Sequence, residues 1–207
     1  MRTYGAKNAD HEAKRQRMVA QISPLIVRAA PSRPSLREMA KAADVSVNNL
    51  RHYFGTREGV LQAVFEAMGK LGGPYVERAL AYTELSPREG LTRLLRELVA
   101  AWVPERLAGL HHSGISEGLG SPVLGPIYVE NLLEPTLAVV ETMLSSWAGR
   151  GELELEDPRA AALALFGPVL VGLLHQRGLG GAGCRPLDLD AFVETHVSGW
   201  LSGYAAK

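Results

Sequence analysis

One cysteine, Cys184, stands in 207 residues, which excludes an internal disulfide framework and fits a reducing compartment. Aromatic residues make up only 6% of the chain. No uninterrupted apolar run reaches the ~20 residues that a membrane helix needs. The opening Met-Arg-Thr-Tyr-Gly-Ala-Lys runs into charged sequence and has no apolar export core, so a cytoplasmic protein with no membrane partner is expected. Nowhere does an alternating strand pattern persist, so the fold class expected is all-α. Metal-ligand spacing is also missing. His111, His112, Glu117, His175 and Cys184 include no His-x-x-x-His or Cys-x-x-Cys pair, and adjacent histidines point apart on a helix. No metal and no cofactor are expected, nor is nucleotide chemistry or a hydrolase nucleophile elbow. An all-α enzyme working through the histidines would need a convergent acid–base group, and none is found.

Net charge is absent as well, but its distribution is informative. Lys and Arg number 22, and so do Asp and Glu. Residues 1–60 hold 11 basic against 5 acidic residues, whereas residues 61–207 hold 11 against 17. A basic N-terminal part on an acidic remainder is what a DNA-binding head on a non-binding body would show, because basic surface releases counterions from phosphates.

That basic part contains the most informative stretch, residues 35–54. Leu36, Met39, Ala40 and Ala43 fall on one helical face, and Ser35 with Glu38 three residues on has the form of a capping box. Val45 fills the gap before a second helix capped by Ser46. There Val47, Leu50 and Phe54 point inward, leaving Asn48, Asn49, Arg51, His52 and Tyr53 outward. Amides, a guanidinium and an imidazole make poor core, but they suit a major groove, where Asn pairs with adenine and Arg with guanine. The pattern is that of a helix-turn-helix, although a plain helical hairpin with a solvated face would share it.

The segment resembles the DNA-binding motif of the tetracycline-repressor-like (TetR) family of bacterial regulators. That family's usual run is Ile-Ala-x-x-Ala-Gly-Val-Ser, three variable residues, Leu-Tyr-x-Tyr/His-Phe and then a Lys. Here it reads Met39-Ala40-Lys41-Ala42-Ala43-Asp44-Val45-Ser46, then Leu50-Arg51-His52-Tyr53-Phe54, then Thr56-Arg57. Departures fall at Asp44 for Gly, Arg51 for Tyr and Arg57 for Lys. Asp tolerates a left-handed backbone better than most residues, the Arg51 change alters which bases are read, and Arg57 keeps the charge. The resemblance implies an N-terminal three-helix head (residues 1–60) and a helical effector-binding and dimerisation body (residues 61–207).

Along the chain, residues 1–10 lack periodicity and read as a loose basic arm. A first helix is expected from His11 to about Ala30, with Pro24 either kinking it or opening a new turn. Thr56 caps a further helix to about Leu71, and Ser86-Pro87-Arg88-Glu89 opens the body. The Gly-rich stretch from Gly109 to Gly125 is expected to hold a short helix near residues 113–119. A long helical pattern follows over Ile127 to Trp147, with Pro135 either kinking it or opening its second half; another helix starts at Asp157-Pro158, and after a loop at Gly178–Gly183 the last covers Asp188 to about Tyr204.

For DNA, Arg37, Asn48, Asn49, Arg51 and His52 are expected at bases, beside Val47 in the recognition helix. Tyr53, Arg57 and the Ser35 and Thr56 helix starts are expected at the backbone, and Ser46 is counted with the DNA-binding residues. Trp102, Tyr128, Trp147 and Phe166 are candidates to line an effector cavity, or else plain core. The effector would then be a small hydrophobic or amphipathic molecule. In the family the last two helices pair with their copies in a second subunit, which makes Leu165, Leu173, Phe192, Trp200 and Leu201 the expected homodimer interface. The function expected is that of a ligand-responsive homodimeric repressor on a palindromic operator. The alternative is an effector-binding or scaffold protein of the same fold that does not bind DNA.

Overall fold

The computed structural model describes residues 4–29, 32–102 and 107–204, and among them every regular element is helical. The chain forms two compact units, Met1–Leu71 with Pro104–Leu132, and Gly72–Val103 with Leu133–Lys207. This partition differs from a head ending at residue 60, because a stretch past residue 104 packs with the N-terminal helices.

The first unit begins with α1 (Tyr4–Ala29), which is longer than the sequence reading by nearly two turns. Residues 4–10 are therefore helical and not a loose arm, while residues 1–3 lie outside the described part. Pro24 sits inside α1 without ending it. One residue earlier, the Ser23 hydroxyl donates to the Val19 carbonyl at 2.7 Å. Then come α2 (Leu36–Ala42), α3 (Val47–Phe54) and α4 (Arg57–Lys70). Ile22, Ile26, Met39, Leu50, Leu61 and Val64 form their shared core, each at most 1% exposed.

The turn between α2 and α3 carries Asp44 where the motif it resembles has Gly, and the backbone there accommodates the change. Asp44 takes φ 53°, a left-handed conformation. The Asp44 N–H donates to the Lys41 carbonyl at 3.2 Å and the Val45 N–H to the Ala40 carbonyl at 3.0 Å. These two bonds make a Schellman motif, which requires a left-handed residue just past the C-cap Ala43. Val45 then packs against the head core.

The first unit is completed by α7 (Gly109–Gly118) and α8 (Leu124–Tyr128). Helix α7 lies against α1, and α8 lies against α4. It runs a turn longer than expected at its N-terminal end, because its glycines serve close packing and not a loop. A Cβ on Gly109 would collide with the Val27 carbonyl, and one on Gly114 with the Tyr128 ring.

In the second unit, α5 (Gly73–Ala81) packs on α9 (Glu134–Gly149), α6 (Pro87–Ala101) on α12 (Leu189–Tyr204), and α10 (Pro158–Leu173) on both α9 and α12. Ser86 and Asp157 cap α6 and α10 as expected, each followed by a proline. The helical pattern over Ile127 to Trp147 is divided, with Pro135 opening its second half, one of the two outcomes expected. A π-helical segment, Val129–Leu133, separates α8 from α9, with Pro135 in the first turn of α9. Part of the expected Gly178–Gly183 loop forms the short α11 (Gly181–Cys184). Taken with its π-helical extension, α10 makes a stretch, Pro158–Gly178, long and apolar enough by composition to cross a bilayer, which no unbroken apolar run had indicated. Ala161, Ala162, Leu165, Phe166, Val169 and Leu173 on α10 are buried in the chain.

Candidate nucleic-acid interface

Recognition helix α3 is fixed at both ends. The Ser46 hydroxyl accepts from the Asn49 N–H at 3.1 Å, and Gly55 ends the helix with φ 70°. Leu50 is fully buried beneath it, and Val47, Tyr53 and Phe54 pack part-buried on the same core. This anchoring turns Asn48, Asn49, Arg51 and His52 to solvent as one polar row, with Arg37 exposed on α2. Ser35 completes its capping box, its N–H donating to the Glu38 carboxylate at 2.7 Å, which holds that carboxyl below its usual range. The Thr56 hydroxyl caps α4, accepting from the Gly59 N–H at 3.1 Å.

Tyr53 is less outward than expected, because α1 supplies it a partner. His11 stacks on its ring at 4.4 Å between centroids, and the Arg15 guanidinium sits 5.3 Å over Phe54. Both α1 residues were missed because periodicity identifies a buttressing helix but not its cross-helix neighbours.

Arg57 has internal partners that its sequence neighbourhood does not indicate. Expected at a phosphate, it has all three guanidinium nitrogens engaged within the protein. Nη1 and Nη2 donate to the two oxygens of Glu117 at 2.9 and 2.5 Å, and Nε donates to the Pro34 carbonyl at 2.8 Å. Glu117 is 7% exposed, against 28% for the Arg57 side chain, and Arg33 approaches the same carboxylate at 3.9 Å. The Arg57 hydrogen bonds hold the Glu117 carboxyl below its ordinary range, helped by the nearby charge of Arg33 and opposed by burial. Two more contacts tie the segment down. The Ser113 hydroxyl donates to the Ile26 carbonyl at 3.0 Å, and the Ser121 hydroxyl to Glu58 at 2.6 Å. The sequence signal for Glu117 is that it is a lone acid within an otherwise uncharged stretch, which does not by itself point to Arg57.

The four aromatic candidates divide between the units, Tyr128 in the first and Trp102, Trp147 and Phe166 in the second. All are at most 5% exposed. The Trp147 indole N–H donates to the Leu85 carbonyl at 3.0 Å, and the Tyr128 hydroxyl shares a 2.7 Å hydrogen bond with His111 Nδ1. Burial drives the His111 imidazole down to about 4 and raises the Tyr128 phenol. A groove of about 520 Å³ lies between α1 and α4, floored by Val19, Ala63, Ala67 and Met68, and none of the four aromatics lines it.

Four of the five expected interface residues lie buried inside their own chain, and Phe192 is half-buried. Leu165 and Leu173 are fully buried within the chain, Trp200 is 7% and Leu201 9% exposed, and Phe192 stacks on His196. Helix α10 is apolar nearly all round, so periodicity cannot separate its inner face from its outer one. The surplus lies instead at Leu163 and Val171, 57% and 64% exposed, with Gly167 between them on the same face.

Two glycine-spaced runs match known motifs in spacing alone. Gly114-Ile-Ser116-Glu-Gly118 has nucleophile-elbow spacing but lies inside α7, with no strand-to-helix turn to expose the serine. Gly178-Leu-Gly180-Gly-Ala-Gly183 has dinucleotide-fingerprint spacing but follows a helix where that fingerprint follows a strand. Among the described residues no group of three or more His, Cys, Asp or Glu stands where it could hold a metal ion.

Comparison with known proteins agrees with this architecture. The family described as "AefR-like transcriptional repressor, C-terminal domain", a TetR C-terminal domain, matches residues 89–206. The HTH-type transcriptional regulator PksA of Bacillus subtilis is 28% identical over 93 residues, and the match spans 45% of each chain, under half the relative's length. A TetR-family transcriptional regulator from Mesorhizobium loti superposes with a TM-score of 0.72 at 20% identity, over 94% of this chain and 98% of that one. The regulator FadR of Bacillus subtilis, solved with stearoyl-CoA, gives 0.64 at 19% identity over 91% and 98%. With more than half the chain matched by the family's C-terminal domain and a capped helix-turn-helix before it, the chain belongs to the TetR family of transcriptional regulators.

Proposed function

We propose that the chain acts as a homodimeric, effector-responsive repressor that reads a palindromic operator through α3. The observation carrying this reading is the exposed row Asn48, Asn49, Arg51 and His52 on a helix held by Ser46 and buried Leu50. Asn and Arg can each make paired hydrogen bonds to a purine edge in the major groove. Tyr53 and the Ser35 and Thr56 helix starts would contact the backbone and set the register. One α3 offers few base contacts, so two copies on half-sites a helical turn or more apart supply the selectivity. The outer α10 face at Leu163, Gly167 and Val171 supports pairing about a two-fold axis. The effector is a small hydrophobic or amphipathic molecule bound in the helical body, as stearoyl-CoA accompanies the Bacillus FadR structure, with Trp102, Trp147 and Phe166 of the second unit as candidate lining.

Selection of bound sequences from a random duplex pool tests the reading. An inverted repeat protected in two half-sites is expected. Recovery of no preferred sequence, with the protein sedimenting as a monomer, would overturn it.

A further inference from the structure

We propose that Glu117 is an internal stand-in for a DNA phosphate, holding Arg57 until DNA takes its place. The inference rests on the DNA-binding reading and adds to it a residue outside the helix-turn-helix that sets affinity. A carboxylate and a phosphate present the same target to a guanidinium, two oxygens accepting two parallel N–H groups. Glu117 makes that arrangement with Nη1 and Nη2 of Arg57. Arg57 stands in the first turn of α4, three residues past the end of α3, and next to it Thr56 is exposed. The backbone of Arg57 is thus anchored beside the recognition helix, and a phosphate reached from this place would compete with Glu117 for the guanidinium.

The two partners differ in freedom. Glu117 is 7% exposed and lies on a helix tied to α1 through Ser113 and Ile26. Arg57 is more exposed, on a long flexible stem. DNA binding therefore moves Arg57 and leaves Glu117 behind, with the Arg33 Nε at 3.9 Å as its remaining cation. Duplex binding then carries an internal cost, the loss of the Arg57–Glu117 pair, which a protein without the carboxylate would escape.

The test measures affinity across a salt series, using fluorescence anisotropy on a mixed-sequence duplex of about 30 base pairs, long enough for two half-sites. Wild-type binding that weakens with salt is the control, and its absence would overturn the DNA-binding reading along with this one. Arg57→Ala is expected to lower the salt slope by about 0.9, the contribution of one phosphate contact. Glu117→Gln is expected to tighten binding on the order of tenfold, the worth of one charged hydrogen bond no longer broken. In the Arg57→Ala background the same Gln substitution should change nothing, which separates release of Arg57 from the mere loss of a negative charge. An unchanged slope in Arg57→Ala, weaker binding in Glu117→Gln, or a gain that persists without Arg57 would each overturn the proposal. A measurement on the wild type avoids any question of variant folding. The Arg57 Nε–Hε resonance, whose N–H donates to Pro34 in the free protein, should shift when the duplex is added, and a resonance that stays put overturns the exchange.

Discussion

His111 sets a pH limit on the stability of the head unit. It is 4% exposed, hydrogen-bonded to Tyr128, and its imidazole lies at about 4 instead of 6.5, first from burial and then from the neighbouring His112. Between those two values the unfolded chain binds a proton that the folded chain does not, so stability falls as pH drops through that window. The full shift amounts to about 3 kcal/mol at 1.36 kcal/mol per unit. Integrated from about pH 7 to about pH 5, the loss is about 2 kcal/mol. For a protein of this size that lowers the melting temperature by roughly 4–8 °C. The assay is thermal unfolding by circular dichroism across that range, on wild type and on His111→Asn. Asparagine keeps a hydrogen-bonding group for Tyr128 but does not titrate. His112, also lowered by burial, remains in both proteins and cancels in the difference. The wild type should lose stability faster than the variant as pH falls. Parallel curves would refute the argument, because a buried neutral imidazole cannot be indifferent to pH in that window.

Three further outcomes follow from particular residues. Asp44→Gly should stabilise the chain by about 0.5–1 kcal/mol in urea unfolding, since glycine takes the left-handed φ of 53° without a Cβ penalty; a loss of stability would mean that the Asp44 side chain supports the turn. Arg51→Ala should relax sequence preference at one position of each half-site and cost about 1–3 kcal/mol in operator binding, read by repeating the selection with the variant. Val171→Asp should leave helicity intact and sediment as a monomer, whereas Trp200→Asp should unfold the body, because Trp200 is buried and donates to the Ala161 carbonyl; a Val171→Asp protein that stays dimeric excludes the outer α10 face.

The parts of the fold legible in the sequence are those written locally. Ser35 with Glu38, Ser46, Thr56, Ser86 and Asp157 all act on backbone within three residues of themselves, and each caps the helix expected of it. The recognition row was legible for the same reason, since one buried Leu50 fixes which side of a short helix faces out. Features that depend on partners far along the chain were not. Arg57 reads as a free surface cation until Glu117, 60 residues away, is placed beside it. Leu165 and Leu173 read as surplus apolar surface until α9 and α12 cover them. The glycines of α7 read as a loop, because in sequence a residue needed for close approach looks the same as one needed for a turn.

The same distinction bears on where the DNA-binding head ends. A boundary at residue 60 follows the motif, but the motif's core does not stop there. The buried cluster that holds Leu50 also contains Leu61, Ala63, Val64 and, from α8, Leu124. Ser113, Glu117 and Ser121 then fasten α7 and the turn before α8 to Ile26, Arg57 and Glu58 by two neutral hydroxyl donors and one ion pair. The two hydroxyl contacts, to a main-chain carbonyl and to a part-buried carboxylate, can remain while DNA is bound. On the proposal above the ion pair differs, because its Arg57 half would have a competing partner in a phosphate. A change at Glu117 would then be expected to alter the stability of the head and its affinity for phosphate together.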